Sequence, residues 1–248
     1  MTMLDIKNKW ALITGSSRGI GYLTAQYLAQ KGCNLILQSR SLEHTNKIEA
    51  EAKALGVQVI SIAAELSEHE QVIAMLDQIE AKGIHVDIVF NNAAVQVSYR
   101  EDYWKTPIED FDLSFRINLI AVATICHRLM PAMINRGFGR IINTTSGIRD
   151  QPEQAAYSAS KAALDKFTQD LGTKVEGTNV SINLTDPGWC RTDLGGPQAP
   201  NDPTASLPGV VVGAFIDDQK SGRLLAASLF ENMSLEEAVS KAATIGRP

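Results

Sequence analysis

Tyr157 and Lys161 point to chemistry before any fold is considered. They lie four apart in Tyr157-Ser158-Ala159-Ser160-Lys161, inside a stretch that reads as helical. Positions i and i+4 project from one helix face, so the ammonium can act on the phenol. A phenol of ordinary pKa, about 10, is a poor base near neutrality, and each unit removed corresponds to ~1.4 kcal/mol of added phenolate stabilisation. A nearby positive charge supplies a shift of that kind. The pair reads as a proton donor and acceptor, the alternative being an ordinary amphipathic helix face.

A second signal is Thr14-Gly15-Ser16-Ser17-Arg18-Gly19-Ile20-Gly21, which directly follows the apolar run Trp10-Ala11-Leu12-Ile13 and opens a helix. Glycines there let the backbone turn sharply and approach a pyrophosphate, while the helix that follows offers unpaired N–H groups and a positive dipole end. Strand, glycine turn and helix in that order mark a dinucleotide site. About 20 residues further on, where an acid would take a ribose 2'-hydroxyl, the chain has Ser39 and Arg40. A carboxylate would repel a 2'-phosphate, whereas a serine can hydrogen-bond it and a guanidinium can pair with it. Arg18 offers a second cation. The expectation is NADP(H), with NAD(H) open if both arginines are solvated surface charges.

These residues need a frame, and the pattern supplies one. Short apolar runs at Trp10–Ile13, Leu35–Leu37, Val57–Ile62, Val86–Phe90, Ile141–Ile142 and Val180–Leu184 read as buried parallel strands. Helical periodicity falls between them, near 20–31, 42–55, 111–135 and 157–176. Val72, Ile73, Leu76 and Ile79 mark a further helix, with Ser67 and Glu70 as its capping box. The alternation predicts an α/β fold, a doubly wound parallel sheet of Rossmann type in three αβα layers and a single domain. Gly195, Gly196, Pro197, Pro200, Pro203 and Pro208 crowd the segment after Gly188, which predicts a substrate lid around 189–215.

Composition excludes several classes. A net charge of -5 with no block of Lys or Arg argues against nucleic acid or an anionic membrane as partner. Cys33, Cys126 and Cys190 are odd in number and widely spaced, which argues against a disulfide framework or a metal site. No signal peptide is legible at the start, and no segment reads as the ~20 apolar residues of a membrane span, so a cytoplasmic location is expected.

The glycine spacing G-x-x-x-G-x-G, together with Asn91-Asn92-Ala93-Ala94 after the fourth strand, Asn118, Ser146 and the Y-x-x-x-K segment, resembles the short-chain dehydrogenase/reductase family over roughly residues 8–196. The resemblance implies hydride transfer between a nicotinamide dinucleotide and a small-molecule carbonyl or alcohol. Tyr157 would protonate the carbonyl oxygen, Ser146 would hydrogen-bond it, Lys161 would also hold the nicotinamide ribose, and Asn118 would anchor a water in a proton relay. Glu65 and Leu66 would face adenine, Asn92 and Ala93 the adenosine, and Pro187, Gly188 and Thr192 the nicotinamide side. Asp186 reads as structural.

The interval between Ser146 and Tyr157 is short for the family, which predicts a trimmed substrate loop. Tyr99, Tyr103, Trp104, Trp189 and Phe215 would suit an apolar pocket, and Arg149, Asp150 and Glu153 a polar one; either set reads equally as surface or core. The expected activity is NADPH-dependent reduction of a ketone or aldehyde. Oxidation of a sugar, polyol or other secondary alcohol is the alternative, and a dinucleotide-sensing regulator comes third. The segment from Pro187 resembles monomeric carbonyl reductases, leaving monomer, homodimer and homotetramer open. Ser234 and Glu237 form a second capping box, starting a short helix whose Leu235, Ala238, Val239 and Ala242 should pack on the core.

Overall fold

The computed structural model describes residues 3–247. Seven strands form one parallel sheet in the order β3-β2-β1-β4-β5-β6-β7: β1 Trp10–Ile13, β2 Asn34–Ser39, β3 Val59–Ala63, β4 Ile88–Asn91, β5 Gly139–Thr144, β6 Val180–Asp186 and β7 Leu224–Ala226. Strands so rich in Val, Ile and Leu must be covered on both faces, and they are. Helices α1 (Gly19–Gln30), α2 (Asn46–Ala54) and α7 (Leu235–Ala242) enclose one apolar cluster; α3 (His69–Ala81), α5 (Ala121–Arg136) and α6 (Ala155–Val175) enclose the other. The chain order reverses between β1 and β4, and a crevice opens there at the carboxyl ends of the strands.

Several elements depart from the sequence reading. The helix expected at 42–55 begins as a 3-10 turn, Leu42–Thr45. The one expected at 111–135 is α4 (Ile108–Phe115), a π turn at Arg116–Ile120, and then α5. That run passes a length and composition test for a membrane span, yet Val122, Ile125, Cys126, Leu129 and Met133 on its inner face are buried against the sheet. The Ser67–Glu70 capping box does not form. Helix α3 starts at His69 after Glu68, and the Glu65 carboxylate takes the Ser67 N–H at 3.2 Å. The box at α7 does form: Ser234 Oγ accepts from Glu237 N–H at 3.2 Å, and Glu237 Oε2 from Ser234 N–H at 2.8 Å. Leu235, Ala238, Val239 and Ala242 are buried as expected.

Only the first part of the expected lid is surface structure. Residues 210–216 are core, and Phe215 meets Tyr27 edge-on with ring centroids 6.4 Å apart, so it is no pocket wall. Beyond it, Arg223 is 1% exposed and donates to both oxygens of Asp218, to Asn183 Oδ1 and to the Ala242 carbonyl, which locks β7 to β6 and α7.

Candidate active site

The glycine turn is positioned from both neighbouring strands. Gln38 of β2 accepts the Gly15 N–H at its side-chain oxygen (2.9 Å), and its carbonyl accepts the Ser16 N–H and hydroxyl. From the β4 side, Thr14 Oγ1 accepts the N–H groups of Asn92 and Ala93, both at 3.0 Å, while the Asn92 amide donates back to the Thr14 carbonyl. Gly15 has φ +64°, and a Cβ there would fall 3.0 Å from Ala93 Cα; one on Gly21 would fall 2.2 Å from the Gly15 carbonyl oxygen. Both positions require glycine. Helix α1 then begins with no side-chain cap and no acid in its first turn, so its free N–H groups face the crevice. This cradle fits a pyrophosphate.

The crevice is a single cleft of about 800 Å³. Gly15, Ser17, Arg18, Gly19, Ile20, Ser39, Arg40, Glu65, Leu66, Asn92, Ala93, Ser146, Tyr157, Lys161, Pro187, Gly188 and Thr192 all line it. Gly21 and Asn118 stand behind its wall, as supports. At the β2 end, the buried Ser39 hydroxyl donates to the Ser41 carbonyl at 2.5 Å. Arg18 is paired with Asp193 at 2.7 Å across the cleft mouth, whereas Arg40 is exposed and forms no ion pair among the described residues.

At the other end Tyr157 is 6% and Lys161 2% exposed. Lys161 Nζ donates to the Thr144 carbonyl at 2.7 Å and lies 5.8 Å from the centre of the Tyr157 ring. Burial pushes the lysine down to about 8, opposed by the carboxylates of Asp165 and Asp186. Spacing on a helix predicts an acidified phenol, and the site shows the reverse. Burial raises the Tyr157 pKa, the Ser146 hydroxyl pulls it down, and Asp186 raises it further. Desolvation outweighs neighbouring charge in so enclosed a position.

The model of the short chain dehydrogenase family matches residues 9–202. The chain belongs to the short-chain dehydrogenase/reductase family. That match spans the glycine turn, Ser146 and the Tyr157–Lys161 segment. A short chain dehydrogenase from Pseudocercospora fijiensis is 31% identical over 78% of this chain, which spans 63% of that longer protein. A 3-oxoacyl-[acyl-carrier-protein] reductase from Thermotoga maritima is 29% identical over 77% of this chain and 78% of its own length. Among solved structures, a metagenomic short-chain oxidoreductase in complex with NADP is 30% identical, with a TM-score of 0.69 over 76% of this chain and 86% of its own.

Within this short-chain dehydrogenase/reductase, Asn118 does more than mark a motif. It is fully buried on the π turn; its Oδ1 accepts from Val95 N–H, and its Nδ2 donates to the Val95 carbonyl and to Ser160 Oγ, each at 2.9 Å. Ser160 in turn donates to the Tyr157 carbonyl at 2.7 Å. Asn118 thus clamps the loop after β4 to the turn of α6 that carries Tyr157. π turns often accompany functional sites, but the sequence pattern of an ordinary helix hides them.

The expected pocket walls are displaced. Tyr99, Trp104 and Trp189 are exposed, and neither they, Tyr103, nor Arg149, Asp150 and Glu153 line the cleft; Val95, Gln96, Leu113, Ile117 and Leu194 do. Trp189 donates its ring N–H to the Gly195 carbonyl at 2.7 Å and so braces the loop after Gly188. Cys190 is buried, and its thiol pKa is raised by burial and by Asp186 and Asp202, which leaves it protonated. The sequence reading took Thr14 only as the first residue of the glycine segment and did not single out Gln38, since neither is one of the glycines that they hold.

Proposed function

We propose that this enzyme reduces a small ketone or aldehyde with NADPH, Tyr157 donating the proton. The observation that carries the reading is the buried Tyr157–Lys161 pair in one cleft with the glycine turn, Arg40 standing at the far end without an ion pair among the described residues. When bound, the dinucleotide supplies the hydride. Tyr157, its pKa raised, stays protonated at neutral pH, as a general acid must. Ser146 orients the same carbonyl oxygen, Lys161 holds the ribose side and returns a proton to the phenol, and Asn118 keeps Tyr157 in register. Cleft walls of Val95, Leu113, Ile117 and Leu194 suit an apolar substituent.

The solved relative bound to NADP and the reductase from Thermotoga maritima support both the cofactor and the direction. Three free, buried cysteines suit the reducing cytoplasm. A panel of ketones, aldehydes, sugars and alcohols, followed by cofactor absorbance with each dinucleotide, tests the reading. Carbonyl reduction with NADPH should dominate and fall by about 10²–10⁴ in Tyr157→Phe; undiminished activity in that variant would refute the mechanism.

A further inference from the structure

We infer that Asp186 is a positioning residue of the site: its carboxylate ties the loop carrying Ser146 to the Pro187–Gly188 turn and sets a fixed negative charge beside Tyr157 and Lys161. The inference deepens the reductase reading and rests on it for the role of Tyr157.

Asp186 is the last residue of β6, so its side chain emerges at the carboxyl end of the sheet and lines the cleft. Oδ2 accepts the Gly147 N–H at 2.9 Å and Oδ1 accepts the Gly188 N–H at 2.8 Å. These two donors belong to different connections, β5 to α6 and β6 to β7, and one carboxylate holds both. A Cβ on Gly147 would fall 2.9 Å from Oδ2, so the approach is as close as a glycine allows. Bonds from neutral N–H groups to a carboxylate are charge-assisted. Asparagine cannot replace it, because an amide offers one acceptor and would turn its NH₂ toward the other N–H. The residue next to Gly147 is Ser146, whose hydroxyl must meet the substrate oxygen; its place therefore depends on Asp186.

The charge has a second consequence. The groups acting on the phenol are the Ser146 hydroxyl from the loop after β5 and Asp186 from β6, and those acting on the ammonium are Asp165 from α6 and Asp186. Asp165 is held by the Thr145 hydroxyl, and burial raises its pKa. Asp186, bonded by two N–H groups, is the carboxylate that adds to burial in opposing ionisation of Tyr157.

Asp186→Asn, with Asp186→Ser as a smaller replacement should the amide fold poorly, separates this role from mere packing. In ligand-free protein, ultraviolet titration of tyrosine should show one phenol ionising at a lower pH than in wild type, the direction expected when a neighbouring carboxylate charge is removed. The step should vanish when Tyr157→Phe is added. The upper limb of the reductase pH profile should move down by the same amount, and kcat should fall more than KM rises. An unmoved titration overturns the inference whatever the activity; a moved titration in a protein that reduces no carbonyl supports Asp186 and overturns the reductase reading alone.

Discussion

Lys161 should cost the fold stability, and the cost can be measured. Its ammonium is enclosed among β5, α6 and the cleft wall, and the pKa falls from 10.5 to about 8. At ~1.4 kcal/mol per unit, that displacement is a penalty of about 3 kcal/mol wherever the lysine is charged in both folded and unfolded chains, which is below pH 8. As pH rises from 8 to 10.5 the folded chain releases its proton first, the unfolded chain binds more protons, and stability from this group increases; above 10.5 the penalty is gone. Lys161→Met keeps an unbranched side chain of similar length and removes the charge, but strands the Thr144 carbonyl at a cost of about 1 kcal/mol. The variant should be inactive yet more stable than wild type by about 2 kcal/mol at pH 7, with the advantage lost by pH 10.5. Cys33 and Cys126, both pushed up to about 12 by burial, lower stability above pH 9 because unfolded thiols ionise first, but they do so in both proteins and cancel. Urea unfolding of the two proteins at several pH values gives the comparison. A difference that does not change with pH would refute the argument that burial, not a specific contact, governs this lysine.

Three further outcomes follow from the same geometry. Arg40→Ala should weaken NADPH by about 10–100-fold, the worth of one lost charge-assisted contact, and leave NADH nearly unchanged; equal affinities of the wild type for both dinucleotides in a titration would remove that assignment. Asp218→Ala should destabilise by about 3 kcal/mol or more, because it leaves the buried Arg223 guanidinium without its carboxylate, and a melting temperature within a degree of wild type would contradict it. Gln38→Ala, which frees the Gly15 N–H and the Ala64 carbonyl, should raise the dissociation constant for either dinucleotide several-fold, read by calorimetry, without altering the pH profile of turnover.

Much of this was legible because two periodicities carry it. Alternating apolar runs and helical stretches gave six of the seven strands, and a glycine turn between a strand and a helix has few other uses. Strand β7 escaped because Leu224–Ala226 has three residues, too few to show a pattern, and follows a connection without an α-helix. The Ser67 cap failed because Glu65 competes for the same backbone. Phe215 looked like a lid residue because glycines and prolines precede it, yet it sits where the chain re-enters the core. Arg18 looked free because its partner, Asp193, is far along the chain.

The largest revision concerns sign. Helical spacing puts an ammonium near a phenol but says nothing of the water that both have lost, and desolvation decides the outcome at Tyr157 and Lys161 alike. The consequence reaches the chemistry. A phenol of raised pKa holds its proton until a developing alkoxide takes it, and it then needs a donor whose own pKa lies near the working pH. In the proposed mechanism Lys161, at about 8, is that group; an exposed lysine near 10.4 would hold its proton too tightly to return it quickly. The burial that should make the fold less stable is thus what fits the lysine to its task, and relieving it should raise stability and lower turnover together.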